Sequence, residues 1–241
     1  MISESKRTYL SFAWWILEPL AMMLIYYIVF SSFLNIRTEN FAFYILVSLT
    51  FWQWFHKSVN SSLNSINQSG GFISKININK LFFPTVAVYT DLIKSLVAIS
   101  VLIVVVVTLN HSVSWQYVWL PIVLVVQLLF TVAIAYFFSL IIPFSPDLRV
   151  LVDLVLRGVM FASAIFYPIE NLPEFIQENL CYNPIAYLLD CYRKILIFDG
   201  VITLRDIYYL GLLAIVSTAV IMFTLLLEKK VGNFYLKILM K

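Results

Sequence analysis

Charged residues are unusually scarce in this sequence. Only 12% of its 241 residues are Asp, Glu, Lys or Arg, whereas 62% are hydrophobic. A typical soluble domain is about 25% charged, because polar side chains must cover its core. The composition therefore excludes a soluble enzyme and predicts a polytopic membrane protein. The net charge of +3 is concentrated near the proposed cytoplasmic ends, so it reports topology and not nucleic-acid binding.

Catalytic and metal-ligating residues are equally scarce. The chain has two cysteines, Cys181 and Cys191, and two histidines, His56 and His111. The predicted topology places the histidines on opposite sides of the membrane, so they cannot share a metal ion. The sequence has no C-x-x-C, H-E-x-x-H, G-x-S-x-G or G-x-x-x-x-G-K-[ST] motif, and packing is the expected role of the cysteines. We therefore expect neither an enzyme nor a metal or cofactor site, and any energy for transport must come from a partner.

The stretch that follows Val150 has the features of a broken membrane segment. It begins as an apolar helix, but Asp153 and Arg157 interrupt it. Two shorter apolar pieces follow, and neither can span a bilayer, because a spanning helix needs about 20 residues. The second piece has Asn183 as a natural N-cap and Pro184 at its first helical position. Since backbone breaks at membrane depth only where its polar groups are satisfied, this stretch predicts a cavity or a gate.

The distribution of Lys and Arg predicts an all-α polytopic protein with six spans and both termini in the cytoplasm. The predicted segments are spans at 8–34, 41–60, 84–109, 117–142, 147–167 and 207–227, a cytoplasmic coupling connection at 67–82, and a re-entrant outer hairpin at 168–200 that ends at Asp199-Gly200. Most basic residues fall on the inner side. Arg37, Arg193, Lys194 and Arg205 fall on the outer side, and the bias is imperfect because Arg193 and Lys194 lie in the outer hairpin.

Five sequence motifs occur in a characteristic order. They are FAWWILEPLAMMLIYYIVFSSFL at 12–34, FWQWFHKSVNSSLNSI at 51–66, FFP at 82–84 with TDL at 90–92, SPDLR at 145–149, and FYPIENLP followed by NPIAYLLDCYR in the hairpin. This order and spacing resembles the membrane subunits of type-2 ABC exporters, and most closely those that export O-antigen or capsule polysaccharides. The resemblance covers nearly the whole chain. One departure is that the family's basic amphipathic helix before the first span is expected to be shortened or missing here.

The resemblance implies a homodimer that binds two copies of a separate ABC ATPase in the cytoplasmic (inner) membrane. ATP and Mg²⁺ would belong to that ATPase. The coupling contact would involve Gly70, Gly71, Phe72, Ile73, Lys75 and Ile76. The alternative for this segment is a solvated loop. The resemblance also implies that the hairpin containing Asn183 and Pro184 closes the outer end of a channel.

Aromatic residues, 17% of the chain, are a second indication of function. Aromatic faces stack on the apolar faces of sugars and tolerate sliding. The residues expected to line a channel are Tyr26, Tyr27, Phe30, Phe161, Phe166 and Tyr167. The alternative is an interfacial belt with lipid-facing packing, which is the expected role of Trp52 and Trp54.

Several charged residues lie within the predicted spans. They are Glu18, Asp91, Lys94, Asp153 and Arg157. Intramembrane charges are costly and normally pair within the bundle, and the spacing predicts Asp153–Arg157 and Asp91–Lys94 pairs. Glu18 has no partner on its own helix, so we predict that it pairs with Arg157 across the contact between the first and fifth segments. The alternative is that this layer lies at the headgroups and that each charge is solvated.

These observations predict a permease that exports an undecaprenyl-type lipid-linked glycan and is driven by a partner ATPase. One alternative is a type-2 ABC exporter of another amphiphile, such as a drug or lipid, which would need only a closed pocket. A second alternative is an ion-coupled carrier or channel. It would need charged residues along its centre and would work without an ATPase.

Overall fold

The computed structural model describes residues 17, 21, 24–25, 28–29, 40–69, 79–109, 114–167, 169, 173–175, 177, 182–198 and 200–239. Within these residues the regular elements are all helical, which confirms the all-α prediction for this part of the chain. The α-helices are α1 (Phe41–Leu63), α2 (Ser65–Gln68), α3 (Phe82–Leu109), α4 (Leu120–Ile141), α5 (Leu148–Ala162), α6 (Pro184–Leu196) and α7 (Leu204–Leu239). Short 3₁₀ helices lie on either side of α4, at Trp115–Trp119 and Ile142–Phe144.

Within the described residues, three segments are long and apolar enough to cross a membrane. They are Phe82–Thr108, Trp115–Phe144 and Leu204–Lys230, and they overlap the predicted spans at 84–109, 117–142 and 207–227. α1 overlaps the predicted span at 41–60 and continues to Leu63. The predicted span at 8–34 lies mostly outside the described residues, so six spans and cytoplasmic termini stay predictions.

The helix in the fifth predicted span, 147–167, is shorter than expected. α5 ends at Ala162 after 15 residues. At 1.5 Å per residue it is about 23 Å long, which is less than the roughly 30 Å of a hydrocarbon core. It ends because Ala164 has φ 50°, in the left-handed region that a right-handed helix cannot accommodate.

Proline and serine residues lie at the start of α3 and at both ends of α4. Pro84 and Pro121 lie in the first turns of α3 and α4, where the missing amide hydrogen is not needed. The side-chain oxygen of Ser114 accepts a hydrogen bond from the amide of Gln116 and caps the 3₁₀ turn before α4. Pro143 lies in the 3₁₀ turn after α4 and prevents that helix from continuing.

The described residues fall into two compact units, each with its own packing. The first unit draws on 1–54, 93–123 and 158–207, and the second draws on 55–92, 124–157 and 208–241. In the first unit, the rings of Phe51 and Tyr192 stack with their centroids 3.5 Å apart. In the second unit, Ile66, Leu81 and Leu140 form a buried apolar cluster.

The first half of α1 is surrounded by protein. Residues 44–52 are all buried, and the hydroxyls of Ser48 and Thr50 are satisfied by donating to carbonyls four residues earlier. Trp52 and Trp54 are 3% and 1% exposed, so the expectation that they face lipid or a membrane interface is wrong. The sequence could not show this, because a helix inside a bundle and a helix in lipid are both apolar on every side.

Candidate functional site at the break between α5 and α6

The break after α5 is held by hydrogen bonds to its carbonyl groups. The left-handed conformation of Ala164 costs about 1–2 kcal/mol for a non-glycine residue, so surrounding contacts must maintain it. The Ala164 carbonyl accepts hydrogen bonds from the Tyr44 hydroxyl at 2.9 Å and from Arg193 Nη1 at 2.8 Å. The same tyrosine hydroxyl lies 2.9 Å from the carbonyl oxygen of Tyr167. The protein itself therefore satisfies these carbonyls, as an interruption at membrane depth requires.

Asn183 joins the end of α5 to the start of α6. Its Oδ1 accepts hydrogen bonds from the amides of Ile185 and Ala186 at 3.1 and 3.3 Å, which confirms the predicted N-cap. Its Nδ2 donates to the carbonyl of Ala162 at 3.2 Å and to the hydroxyl of Ser163 at 3.0 Å. One side chain therefore caps both helix ends, and separating α6 from α5 would break the two contacts that Nδ2 makes.

Arg193 is a buried cation on α6. The residue is 1% exposed, Nε donates to the Leu189 carbonyl at 3.2 Å, and Cζ lies 4.4 Å from the ring centroid of Tyr44. A guanidinium over an aromatic face gains about 0.5–2 kcal/mol, with the larger values in desolvated sites. Within the part of the chain that the structure describes, Nη2 has no hydrogen-bond partner. Arg193 is therefore a buried part of the break. Because it is not an exposed residue of the outer surface, its position is not evidence against the predicted topology.

Lys194, the second exception to the charge bias, forms an ion-pair cluster with α7. Its Nζ lies 2.9 Å from Asp190 Oδ2 and 3.3 Å from Asp206 Oδ1. The Tyr187 hydroxyl also donates to Asp206 Oδ1, at 2.8 Å. Thr203 donates to Asp206 Oδ2 through both its amide and its hydroxyl, each at 2.9 Å, and caps the first turn of α7. These contacts fasten α6 to the start of α7.

The protonation states in α6 follow from burial and from this cluster. Burial acts to lower the pKa of Lys194, but the carboxylates of Asp190 and Asp206 outweigh it and raise the pKa above its usual value. Burial and the hydrogen bond to Asp206 raise the pKa of Tyr187. Burial, followed by the nearby carboxylates, raises the pKa of the Cys191 thiol to about 12. Lys194 is therefore charged, whereas the tyrosine and the cysteine are neutral at physiological pH.

α6 ends earlier than the sequence predicts. Its last residue is Leu196, whereas the sequence predicts that the chain leaves the helix at Asp199-Gly200. The Gly200 amide still closes the helix end by donating to the Lys194 carbonyl at 2.8 Å. A β-carbon on Gly200 would lie 3.3 Å from the β-carbon of Lys194, so this close return favours glycine.

The second unit contains a smaller polar cluster around Asp153. Arg157 donates to Asp153 Oδ2 from Nη2 at 2.8 Å and from Nε at 3.0 Å, which confirms the predicted i,i+4 pair. Asn60 Nδ2 lies 3.4 Å from Asp153 Oδ1, and His56 Nε2 lies 3.7 Å from the same oxygen. Arg157 is 69% exposed, so this pair contributes little stability on its own. Glu18, the other predicted partner of Arg157, lies outside the described residues.

The remaining predicted residues are only partly described. Phe161 is 55% exposed and Phe166 is fully buried, so Phe166 presents no surface in a single copy of the chain. The Tyr167 hydroxyl donates to the Phe161 carbonyl at 2.6 Å. Asp91 accepts a hydrogen bond from a serine hydroxyl of α1, and its pairing with Lys94 stays a prediction. The predicted residues outside the described part are Tyr26, Tyr27, Phe30, Gly70, Gly71, Phe72, Ile73, Lys75 and Ile76.

Sequence reasoning missed the side chains that organise the break. Tyr44, Tyr187 and Asp206 were not predicted as site residues, and Arg193 and Lys194 appeared only as topological exceptions. The available signal was that two cations lay where the charge bias disfavours them, within a segment containing Asp190. Arg193 contacts Tyr44 of α1 and Lys194 contacts Asp206 of α7. Each contact joins residues more than ten positions apart, and local spacing cannot reveal such contacts.

Comparison with known proteins identifies the family. Residues 1–197 match the model of the family described as ABC-2 type transporter. An O-antigen export system permease protein RfbA of Myxococcus xanthus is 27% identical over 192 residues, which cover 79% of this chain and 74% of that protein. Two proteins of the same name from Klebsiella pneumoniae are 26% and 27% identical over 216 residues, which cover 89% of this chain and 83% of each relative.

The family match covers most of the chain and includes α1, the break after α5 and the whole of α6. It agrees with the apolar helices described above, which are typical of a multi-pass membrane protein. This chain belongs to the ABC-2 type transporter family, as a membrane permease subunit.

Proposed function

We propose that this chain is the permease subunit of an ATP-driven exporter that moves a lipid-linked polysaccharide across the cytoplasmic membrane. The observation that carries this proposal is its similarity, over as much as 89% of its length, to permeases named for O-antigen export. The permease family to which the chain belongs supports the ATP-driven mechanism. The polysaccharide follows from the names of the relatives, and its sugar composition stays open.

In this proposal the break between α5 and α6 is an outer gate. Tyr44, Asn183 and Arg193 satisfy the polar groups of the break through side chains from two helices. Each of these contacts is a hydrogen bond between two different structural elements. All of them can therefore break when the elements separate and form again when the elements return. The exposed ring of Phe161, next to the break, is available to line a path for a sugar chain.

The proposed assembly is a homodimer bound to two copies of a separate ABC ATPase. That ATPase would bind ATP and Mg²⁺, and this chain would need no cofactor of its own. The proposed docking site is the coupling connection at 67–82, with Ile73 and Ile76 on its apolar side. The proposed location of the complex is the inner membrane.

Deleting the gene in its host tests the proposal. Cells without the chain should lose surface polysaccharide and accumulate the lipid-linked glycan inside, and the wild-type gene should restore export. Surface polysaccharide is measured with a glycan-specific stain, and the internal intermediate by lipid extraction. Unchanged surface glycan together with altered drug resistance or lipid distribution would contradict the polysaccharide assignment and favour an exporter of another amphiphile.

A further inference from the structure

Large apolar side chains are exposed at one corner of the first unit, which we call the apolar corner. They are Trp115 at 79%, Phe198 at 53%, Val201 at 68% and Leu204 at 86% of their full exposure. Trp115 belongs to the 3₁₀ turn before α4, and the others belong to the segment that joins α6 to α7. The Ile202 amide donates a hydrogen bond to Gln116 Oε1 at 3.4 Å and joins the two segments. Exposed apolar side chains that gather in this way mark an interaction surface.

The charge pattern of α7 gives the level of this corner relative to a membrane. No charged residue lies between Asp206 and Glu228 in the sequence, and the helix between them is about 32 Å long. A hydrocarbon core is about 30 Å thick, so this uncharged stretch fills the core and Asp206 marks its edge. Leu204 precedes Asp206 by about 3 Å along the helix. It therefore lies just outside the hydrocarbon, in the headgroup region.

A second candidate span begins at the same corner. The segment Trp115–Phe144 is long and apolar enough to cross a membrane, and so is Leu204–Lys230. The hydrogen bond between Gln116 and Ile202 holds the first residues of these two segments side by side. Two apolar segments therefore start at one level. Tryptophan is enriched at the membrane–water interface, because its ring is apolar and its N–H group is polar.

We propose that the apolar corner lies in the headgroup region of the membrane and is covered by phospholipid. In the predicted topology this is the outer leaflet. The level at which both segments start favours lipid over a passing sugar chain or a second copy of the chain. The 3₁₀ turn at Trp115–Trp119 packs against α6, so lipid bound at the corner holds this part of α6 at the membrane surface. The inference does not depend on which substrate the protein transports.

Spin labelling tests this depth in the full chain, reconstituted in phosphatidylcholine vesicles without an ATPase or a glycan. A nitroxide is attached to Val201→Cys in a chain whose Cys181 is replaced by serine; the other native thiol, Cys191, is buried. Ile215→Cys is the core reference, because Ile215 is 69% exposed near the middle of the uncharged stretch of α7. Asp147→Cys is the aqueous reference, because Asp147 is exposed in the turn between α4 and α5. The ratio of collisions with oxygen to collisions with a water-soluble nickel complex should be lower at Val201 than at Ile215 and higher than at Asp147.

The position of Trp115 is measured separately by fluorescence. Trp115 is one of six tryptophans, so the difference in emission between the wild type and Trp115→Phe isolates its share. Vesicles of phosphatidylcholine brominated near the headgroup should quench that share more strongly than vesicles brominated near the ends of the acyl chains. Equal emission from Trp115 in brominated and ordinary vesicles would place the ring away from lipid and overturn the proposal.

Two further results would contradict the proposal. A collision ratio at Val201→Cys equal to that of either reference would place the corner in water or in the hydrocarbon core. Dipolar broadening between labels at Val201→Cys that disappears on dilution with unlabelled protein would show that a second copy covers the corner. Both measurements are made without transport. A loss of this inference would therefore leave the proposed function standing, and the absence of polysaccharide export in cells would leave this inference standing.

Discussion

Replacing Tyr44 with phenylalanine removes the hydroxyl that serves two carbonyls of the break and changes nothing else in the shape of the side chain. The Ala164 carbonyl keeps its hydrogen bond from Arg193, whereas the Tyr167 carbonyl loses the tyrosine as a donor. Leaving a buried acceptor unsatisfied costs about 1–3 kcal/mol. For a chain of this length that cost corresponds to a melting temperature lower by roughly 2–12 °C.

Tyr192→Phe is the matched control for this experiment. Tyr192 is fully buried, and its hydroxyl has no hydrogen-bond partner within the described residues. The same chemical change should therefore be neutral or stabilising, because it removes an unsatisfied polar group. Both variants are purified in detergent and compared by thermal unfolding and by amide exchange at residues 162–167. Equal melting temperatures for the two variants, or faster exchange in Tyr192→Phe, would refute the account of the break.

Four further predictions concern the hairpin, the thiol, the coupling connection and the topology. Asn183→Ala should cost about 0.5–2 kcal/mol through loss of the cap and should reduce export; normal export with unchanged exchange in α6 would contradict this. The Cys191 thiol, whose pKa burial raises to about 12, should resist alkylation at pH 8 until the protein is denatured, and rapid alkylation in the folded protein would show that α6 is not packed as described. Ile73→Asp should weaken binding of the ATPase while the subunit stays folded, and co-purification at the wild-type ratio would exclude this connection as the docking site. A thiol reagent should label Ser112→Cys from the outer side of the membrane and Lys241→Cys from the inner side. Labelling of Lys241→Cys from the outer side would contradict the six-span topology.

Local chemistry made part of the site predictable from the sequence. Asn183 and Pro184 predict the start of α6 because an asparagine cap and a proline at the first helical position act within one turn. The Asp153–Arg157 pair follows from i,i+4 spacing in the same way. The apolar helices that could cross a membrane follow from length and composition alone.

The sequence predicts that this stretch is broken, but it does not predict that the break lies at Ala164, because an alanine carries no turn signal. Ala164 adopts its left-handed conformation where Tyr44 and Arg193 meet its carbonyl from distant parts of the chain. For the same reason, the early end of α5 and the burial of Trp54 depend on tertiary contacts. Each of these features depends on which helices are neighbours, and one sequence does not specify that.

A reversible disulfide across the break tests most directly whether it is the gate of an export permease. Ser163 and Asn183 are joined by a 3.0 Å side-chain hydrogen bond, so cysteines at these two positions should be close enough to be joined, directly or through a short bifunctional methanethiosulfonate reagent, by reducible disulfide bonds that hold α6 to α5. Cys181 is replaced by serine in this variant to prevent mispairing. Surface polysaccharide is then measured in cells before and after reduction. Export should stop when the disulfide is complete and should resume after reduction at the lowered rate expected without the Asn183 cap, whereas export through a fully cross-linked protein at the same rate as after reduction would contradict the gate.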